Sequence, residues 1–353
     1  MAGQASSLES RLTRSWSRRG LLACALWPLS LLFGALTAGR RALYRFGVLR
    51  VERVPVPLII VGNIFIGGTG KTPLTIWLVE AMRAAGYRPG VISRGYGTGV
   101  STTRAVTPSS SAAEVGDEPL LIARRSGAPV MVGRDRVAAA RALIAAHPDV
   151  NLIISDDGLQ HYRLARDIEI VLSDVRGVGN GWLLPAGPLR ESPTRRRDFS
   201  VHNGRAADGR ATNGLATNGG TSNVRANFNM ELQGGFAEQL TDSTRRLPFA
   251  ELPPGRMLAA AGIGNPARFF AQLRADGLAF DELPLPDHFS YTENPFAEST
   301  ADIILITEKD GVKCAEHPTL KSDPRIWVVP IEARLDPALA EQIVEKLRGY
   351  PTA

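Results

Sequence analysis

Residues 61–75 read VGNIFIGGTGKTPLT, and this stretch decides the fold. The phosphate-binding loop pattern G-x-x-x-x-G-K-[ST] would place its first glycine at Phe65, whereas the glycine, lysine and threonine at 70–72 match it. Such a loop needs glycines that let backbone N–H groups turn inward, a helix N-terminus, a lysine for phosphate oxygens and a hydroxyl for magnesium. The residues expected to contact a nucleotide are Phe65, Ile66, Gly67, Gly68, Thr69, Gly70, Lys71 and Thr72. Phe65 indicates only that the loop begins along a path that accepts a side chain.

Short apolar runs alternate with helical patterns on both sides of this loop. The runs are VPLIIVGN, which ends at residue 63, RPGVIS (88–93), APVMVG (128–133), VNLIIS (150–155) and DIEIVLSD (167–174). Near-continuous apolar runs are typical of strands buried on both faces, and helices between them indicate a doubly wound, mainly parallel sheet. After Lys71 the apolar residues keep helical spacing, and Pro73 is tolerated in the first turn. The sequence therefore predicts an α/β fold of the P-loop NTPase type.

Two adjacent carboxylates follow one of these runs, in NLIISDDGLQHYRL (151–164). Asp156 and Asp157 come just after a buried strand, where carboxylates are costly unless a cation or hydrogen-bond donors meet them. A magnesium role is therefore favoured over a capping role. Gln160 is near enough in sequence to join the site.

Two residues are candidates for a general base. Asp117 in EVGDEPLLIARR (114–125) precedes a short apolar helix, so its pattern also fits a helix N-cap. His288 in LPDHFSYT (285–292) lies in a polar segment that also fits an ordinary loop. A kinase acting on a sugar hydroxyl needs a carboxylate or imidazole base, but spacing alone does not show that these two residues meet.

Two loops carry arginines that suit phosphate groups. SRGYGTG (93–99) contains Arg94, and GWLLPAGPLRESP (181–193) contains Arg190 beside Glu191. Arginine neutralises charge that develops during phosphoryl transfer or clamps an existing phosphate, although a solvated loop cation is the alternative for both. TEKDGVKC (307–314) is not the N-K-x-D motif that reads guanine, which argues against a GTPase.

The positive charge of the chain is concentrated at its N-terminus. The net charge is +6, but residues 1–53 hold nine arginines and two glutamates, so the remainder is close to neutral. The same stretch contains the uncharged run GLLACALWPLSLLFGALTAG (20–39), with arginine pairs at both ends. We expect this arm to face an anionic membrane rather than nucleic acid. Whether it spans the bilayer or lies in one leaflet stays open, because Pro28 interrupts it and the flanking charges are balanced.

A cleaved signal peptide is the competing interpretation of the arm. The run is long for a signal core, and ATP chemistry would then be separated from the cytosol. The two cysteines, Cys24 and Cys314, form no metal or redox spacing, so a reduced compartment is expected.

The 353 residues are enough for about two domains. Residues near 202–229 are glycine-rich and polar and are predicted to be a flexible insertion. Strand and helix patterns resume in RMLAAAGIGNPARFFAQLRADG (256–277), ADIILIT (301–307) and RIWVVPIEA (325–333). The predicted divisions are a membrane-associated helix (1–45), a P-loop kinase domain (46–200), the insertion (201–230) and a second, smaller α/β domain (231–353) that closes on the active site.

Taken together, the motifs resemble one family, the lipid A tetraacyldisaccharide 4'-kinases of Gram-negative bacteria. The resemblance is carried, in the family's order, by PVPLIIVGNI, GGTGKTP, VISRGYG, VGDEPLLIA, SDDGLQH, LLPAGPLRE, GIGNPARFF, PDHFSYT and TEKDGVKC. It implies transfer of the ATP γ-phosphate to the 4'-hydroxyl of a tetraacylated glucosamine disaccharide 1-phosphate, giving lipid IVA. It also implies Mg²⁺ as cofactor and an N-terminal helix seated in the cytoplasmic leaflet of the inner membrane, with the active site facing the cytoplasm.

Carried onto this chain, the resemblance makes Asp117 the base, assisted by His288 from the second domain. Lys71 and Arg190 would act on the transferred phosphate. The metal positions would be Thr72, Asp156, Asp157, Glu118 and Glu191, with Gln160 at the nucleotide. Arg94 and Tyr96 fall where the family meets the lipid head group.

Two alternatives remain at this point. One is a P-loop kinase for another amphipathic sugar, and the other is a membrane-tethered ATPase switch that binds a protein partner. A switch has no need of an acceptor base, so His288 and Arg94 favour a kinase. No nucleic acid and no obligate protein partner are expected.

Overall fold

The computed structural model describes residues 13–95, 102–204 and 226–349. The helices are α1 (Leu21–Arg45), α2 (Lys71–Ala84), α3 (Ala112–Val115), α4 (Asp117–Ser126), α5 (Arg136–Ala146), α6 (Pro266–Ala275), α7 (Glu308–Cys314) and α8 (Ala338–Lys346). The strands are β1 (Leu58–Asn63), β2 (Pro89–Ser93), β3 (Arg104–Val106), β4 (Val130–Val132), β5 (Leu152–Asp156), β6 (Ile168–Asp174), β7 (Phe199–Asn203), β8 (Ala226–Gln233), β9 (Phe236–Gln239), β10 (Asp242–Pro248), β11 (Met257–Ala261), β12 (Asp281–Pro284), β13 (Ile303–Thr307), β14 (Ile326–Val329) and β15 (Glu332–Leu335).

The first sheet has nine strands in the order β15-β8-β7-β6-β1-β5-β2-β4-β3. The strands from β8 to β4 are parallel to their neighbours, and only the edge strands β15 and β3 are antiparallel. β1 lies at the centre, and Val61 pairs with Asp156 of β5. The carboxyl ends of β1 and β5 therefore meet at one edge, where α/β proteins bind ligands.

Side chains of β1 alternate between two hydrophobic cores. Ile59 and Val61 pack with α2 on one face, while Leu58 and Ile60 pack with α5 on the other. Each fully buried aliphatic side chain stabilises the fold by about 1.5–3 kcal/mol relative to an exposed one. Helices cover both faces, so the predicted doubly wound, mainly parallel sheet is confirmed.

The second sheet has six strands in the order β10-β9-β14-β13-β11-β12. The strands β14, β13, β11 and the edge strand β12 are parallel to one another. α6 covers one face through Phe269, Phe270 and Leu273. α7 follows β13 directly, and its Cys314 is buried against the other face.

Sheet membership differs from the predicted domain divisions at two places. β8 and β15 pair with each other in the first sheet, and α8 packs there through Leu339 and Ile343. The run RIWVVPIEA is continuous in sequence, but β14 ends before Pro330 and β15 begins in the other sheet. The ends of the predicted insertion are strands as well, since β7 and β8 pair in parallel. Residues 205–225, the remainder of the insertion, lie outside the described residues.

Candidate active site

Backbone geometry explains the glycines of the phosphate-binding loop. Gly67 and Gly70 have φ angles of +99° and +97°, which favour glycine, and Gly70 is the N-cap of α2. A Cβ atom on Gly70 would lie 2.6 Å from Nδ2 of Asn203, which donates to the carbonyl oxygen of Thr69 at 2.7 Å. The cradle therefore runs from residue 67 to 70, where the sequence places its glycines.

Phe65 occupies the start of this loop without disturbing it. It pairs with Leu189 through an antiparallel β-bridge, and its ring lies 4.4 Å below the guanidinium of Arg176. Arg176 also donates to the carbonyl oxygen of Gly68 at 2.9 Å and pairs with Asp174. The missing glycine is thus replaced by a packed aromatic side chain.

Lys71 is the first residue of α2 and points back towards the ends of β1 and β5. Its Nζ donates to Oδ1 of Asn63 at 3.3 Å and lies 3.9 Å from Oδ1 of Asp157. The side chain is only 11% exposed. This geometry places a cation at the helix N-terminus, where phosphate oxygens bind.

Asp156 is a buried carboxylate whose charge is poorly compensated. The hydroxyl groups of Thr75 and Ser93 lie 3.4 Å from its two oxygens. Burial, and next the charge of Glu118, raise the pKa of Asp156 to about 7. The nearby Arg136 donates to the Asp156 carbonyl oxygen instead of the carboxylate. Such a group suits a hard divalent cation.

Asp157 adopts a φ of +51° directly after β5. Arg190 lies 3.2 Å and 3.3 Å from its two oxygens. Burial would raise the pKa of Asp157, but Lys71 and Arg190 outweigh it and hold that pKa below its ordinary value. Within the described parts of the chain, no three His, Cys, Asp or Glu side chains converge to hold a metal by themselves. Mg²⁺ usually binds one or two carboxylates together with substrate phosphates and water, so the pair fits this ion.

The two candidate bases meet across the two sheets. Nδ1 of His288 lies 3.2 Å from Oδ2 of Asp117, and Nζ of Lys313 lies 2.9 Å from the same oxygen. The N-cap of α4 is Gly116, and Asp117 makes no capping hydrogen bond, so the capping interpretation of Asp117 is wrong. Burial would raise the pKa of Asp117, but hydrogen bonds from His288 and Lys313 lower it overall. The hydrogen bond to Asp117 is the main reason that the pKa of His288 is raised.

The loop that carries His288 is held by its own sheet. The backbone N–H of His288, at φ +56°, donates to the carbonyl oxygen of Gly262 at 3.1 Å. Nζ of Lys313 donates to the carbonyl oxygen of Phe289 at 3.0 Å. Lys313 therefore binds both Asp117 of α4 and the loop that carries His288.

A second ion pair connects the sheets one helical turn away. Lys309 of α7 pairs with Glu118 of α4, beside Asp117. Burial opposes ionisation of both groups, but their attraction lowers the pKa of Glu118 and raises that of Lys309. Val312 of α7 packs with Leu120 in a small hydrophobic cluster between them. The site thus depends on α7 docking against α4.

Not all predicted site residues converge on the loop. Glu191 is buried, pairs with Arg195 at 2.9 Å and accepts from Gln160 at 2.9 Å, so a direct metal contact stays a prediction. Arg94 is exposed just after β2. Burial lowers the pKa of Arg136, and the positive charge of Arg94 adds to that lowering. Tyr96 lies outside the described residues.

Sequence reasoning missed several groups that shape the site. They are Asn63, Asn203, Arg268, Lys309 and Lys313. Arg268 of α6 donates to the side-chain oxygen of Asn203, at the end of β7, over 3.2 Å beside the loop. The spacing of Lys309 and Lys313, four residues apart at the end of an apolar run, was the available signal, because it places both on one helix face.

A phosphate-binding loop between a central parallel strand and a helix, with a lysine at the helix N-terminus and carboxylates at the end of the neighbouring strand, is typical of the class of P-loop kinases. The model of one family within that class, described as tetraacyldisaccharide-1-P 4'-kinase, matches residues 22–348. The chain therefore belongs to the tetraacyldisaccharide-1-P 4'-kinase family.

Individual relatives agree with this family. The chain is 58% identical to a tetraacyldisaccharide 4'-kinase of Herminiimonas arsenicoxydans over 368 residues, covering 100% of this chain and 99% of that one. It is 60% identical to one of Janthinobacterium sp. (strain Marseille) over 359 residues, covering 100% of both. The crystal structure of LpxK from Aquifex aeolicus in complex with ATP superposes with a TM-score of 0.77 at 27% identity, over 92% of this chain and 99% of that one.

Proposed function

We propose that this kinase transfers the γ-phosphate of ATP to the 4'-hydroxyl of tetraacyldisaccharide 1-phosphate, forming lipid IVA in lipid A biosynthesis. The observation that carries the proposal is the contact between Asp117 and His288, 3.2 Å apart, at the junction of the two sheets. A carboxylate that is oriented by an imidazole can take the proton of a hydroxyl acceptor. The identity of the acceptor, tetraacyldisaccharide 1-phosphate, is inferred from membership of the family.

In this proposal Asp117 accepts the proton of the 4'-hydroxyl. His288 donates through Nδ1 to Asp117 and so fixes the direction of the carboxylate. Lys313 keeps Asp117 ionised, because it holds a cation 2.9 Å from Oδ2. Lys71 and Arg190, which both lie beside Asp157, attract the charge of the transferred phosphate.

Asp156, Asp157 and Thr72 would hold Mg²⁺, with Glu118 and Glu191 as further candidates. When bound, the ion neutralises phosphate charge and orients the oxygens. The buried position of Asp156, with its raised pKa, supports this assignment. The residues of the loop would orient ATP through inward N–H groups from the backbone of residues 67–72.

The location proposed for the enzyme is the cytoplasmic leaflet of the inner membrane. Among the described residues, α1 is the helix long and apolar enough to cross a bilayer, with a mean hydropathy of 1.9 over its best window. Large apolar side chains are exposed along it, including Leu29, Leu32 and Leu36. Arg94 and Tyr96 are proposed to meet the lipid head group.

Removal of residues 1–40 should release the protein from membranes. Membrane binding that persists at high salt after this removal would contradict the role of the N-terminal arm as the main anchor.

The test of the activity is direct. Purified enzyme is incubated with ATP, Mg²⁺ and tetraacyldisaccharide 1-phosphate, and the lipid is analysed by mass spectrometry. The proposal predicts the gain of one phosphate at the 4' position. Continued ATP hydrolysis with no change in the lipid would identify an ATPase switch instead.

A further inference from the structure

Ser30 is a buried polar residue in a helix that is otherwise mostly exposed. Its neighbours Leu29 and Leu31 are each 54% exposed, whereas Ser30 is 4% exposed. Its Oγ donates to the carbonyl oxygen of Leu183 at 2.7 Å and accepts from the backbone N–H of Ala186 at 2.9 Å. Both hydrogen-bonding roles of the hydroxyl are therefore used by one loop of the kinase body.

Other residues of the N-terminal arm also contact that loop, residues 180–190. Trp16 donates through Nε1 to the carbonyl oxygen of Pro185 at 3.0 Å, and Arg19 donates to that of Asn180 at 3.1 Å. The rings of Trp27 and Trp182 lie 6.2 Å apart. The arm is thus docked on the 180–190 loop by polar bonds as well as by aromatic contact.

The other side of the 180–190 loop forms part of the candidate active site. The N–H of Arg190 donates to the carbonyl oxygen of Ile64 at 2.7 Å, and the N–H of Ile66 donates to that of Pro188 at 3.0 Å. The Arg190 side chain continues to Asp157. The loop therefore lies between α1 and the start of the phosphate-binding loop, bonded to both.

We infer that Ser30 is a positioning residue for phosphoryl transfer, acting through the 180–190 loop on Arg190. Helix α1 then sets the position of an active-site arginine, in addition to any contact it makes with lipid. The inference rests on the proposed function, because it takes Arg190 to act on the transferred phosphate.

Loss of the Ser30 hydroxyl leaves the buried N–H of Ala186 without its partner, whereas the carbonyl oxygen of Leu183 keeps the N–H of Gly187. The loop should therefore shift to give the Ala186 N–H a new partner. Arg190 would then lie less accurately against the phosphate. Because Arg190 acts on charge in the transition state, kcat should fall roughly 5- to 20-fold in Ser30→Ala, with a smaller change in KM for ATP.

The experiment measures kcat, KM for ATP and vesicle binding for the full-length enzyme in a double-mutant cycle of Ser30→Ala and Arg190→Ala. Thr37→Ala is the matched control, since Thr37 lies on the same helix and donates only within it, to the carbonyl oxygens of Phe33 and Gly34. We expect Thr37→Ala to be near wild type, and Ser30→Ala to lose kcat but bind vesicles normally. In the Arg190→Ala background, Ser30→Ala should cost little more.

Additive losses in the cycle would overturn the inference, because Ser30 would then act independently of Arg190. An unchanged kcat in Ser30→Ala, or a loss explained by reduced vesicle binding, would overturn it as well. Failure of the wild type and of Thr37→Ala to phosphorylate the lipid would instead refute the proposed function, so the two failures are distinguishable.

Discussion

Asp117 combines two properties that a base in this position needs. It is largely buried, with a side-chain exposure of 11%, and it remains ionised because His288 and Lys313 both meet Oδ2. The sequence placed Asp117 at the start of a helix, where its pattern also fitted a helix N-cap. Only the fold decides between the two, because both partners come from more than 170 positions further along the chain.

Lys313→Met should move the acid limb of the pH–rate profile to higher pH. Asp117 must be unprotonated to accept a proton, so activity is lost as pH falls through its pKa, which the structure lowers. Removal of the cation raises that pKa, so the loss begins at higher pH. The other charges facing Asp117 are His288, Lys309 and Glu118.

The measurement is kcat/KM across the acid range for both variants. Lys321→Met is the control, because Lys321 is exposed and follows α7 in the chain. It should leave the acid limb of the pH–rate profile in place. An unmoved limb in Lys313→Met would show that Lys313 does not set the ionisation of Asp117.

At the scale of elements, the junction of β1, the loop and α2 is fixed by backbone conformation. The strands, the helix that begins at Lys71 and the position of the glycines were predictable. Burial on both faces requires apolar runs, and positive φ angles favour glycine. The partners that close the loop were not predictable because they belong to other parts of the chain, Asn203 at the end of β7 and Arg176 just after β6.

Gly70→Ala should destabilise the protein by about 1–3 kcal/mol, because alanine is strained at a φ of +97° and its Cβ would meet Asn203. Gly68→Ala is the matched control in the same loop, where an added Cβ meets nothing within 4 Å. Thermal unfolding without nucleotide compares the two. Equal Tm values for both variants would contradict the geometry given for the loop.

At the scale of the whole molecule, the chain crosses between its sheets more than once. The sequence predicted two α/β units but assigned β15 and α8 to the second, because RIWVVPIEA has no polar break that marks the crossing. The docking of α7 on α4 was not predictable from the sequence either, because ion pairs between distant segments produce no local periodicity. Arg125 of α4 is central to that docking, with Glu308 at 2.9 Å and Glu238 at 3.2 Å.

Arg125→Met should lower the free energy of unfolding by about 1–3 kcal/mol, because it leaves two partly buried carboxylates without their cation. Burial already raises the pKa of Glu308 to about 7 in spite of Arg125. Arg124→Met changes the neighbouring, exposed arginine and is the control. Denaturant unfolding at neutral pH measures both, and equal stability of the two variants would contradict the role of Arg125.

The central claim is that docking of the two sheets brings Asp117 to His288 as the base for the lipid 4'-hydroxyl. Turnover of Asp117→Ala, measured with tetraacyldisaccharide 1-phosphate beside the binding affinity for ATP, tests it most directly. The account predicts a loss of turnover of roughly 10²- to 10⁴-fold with little loss of ATP binding. Near-normal turnover would contradict it and leave Asp117 a structural partner of His288 and Lys313.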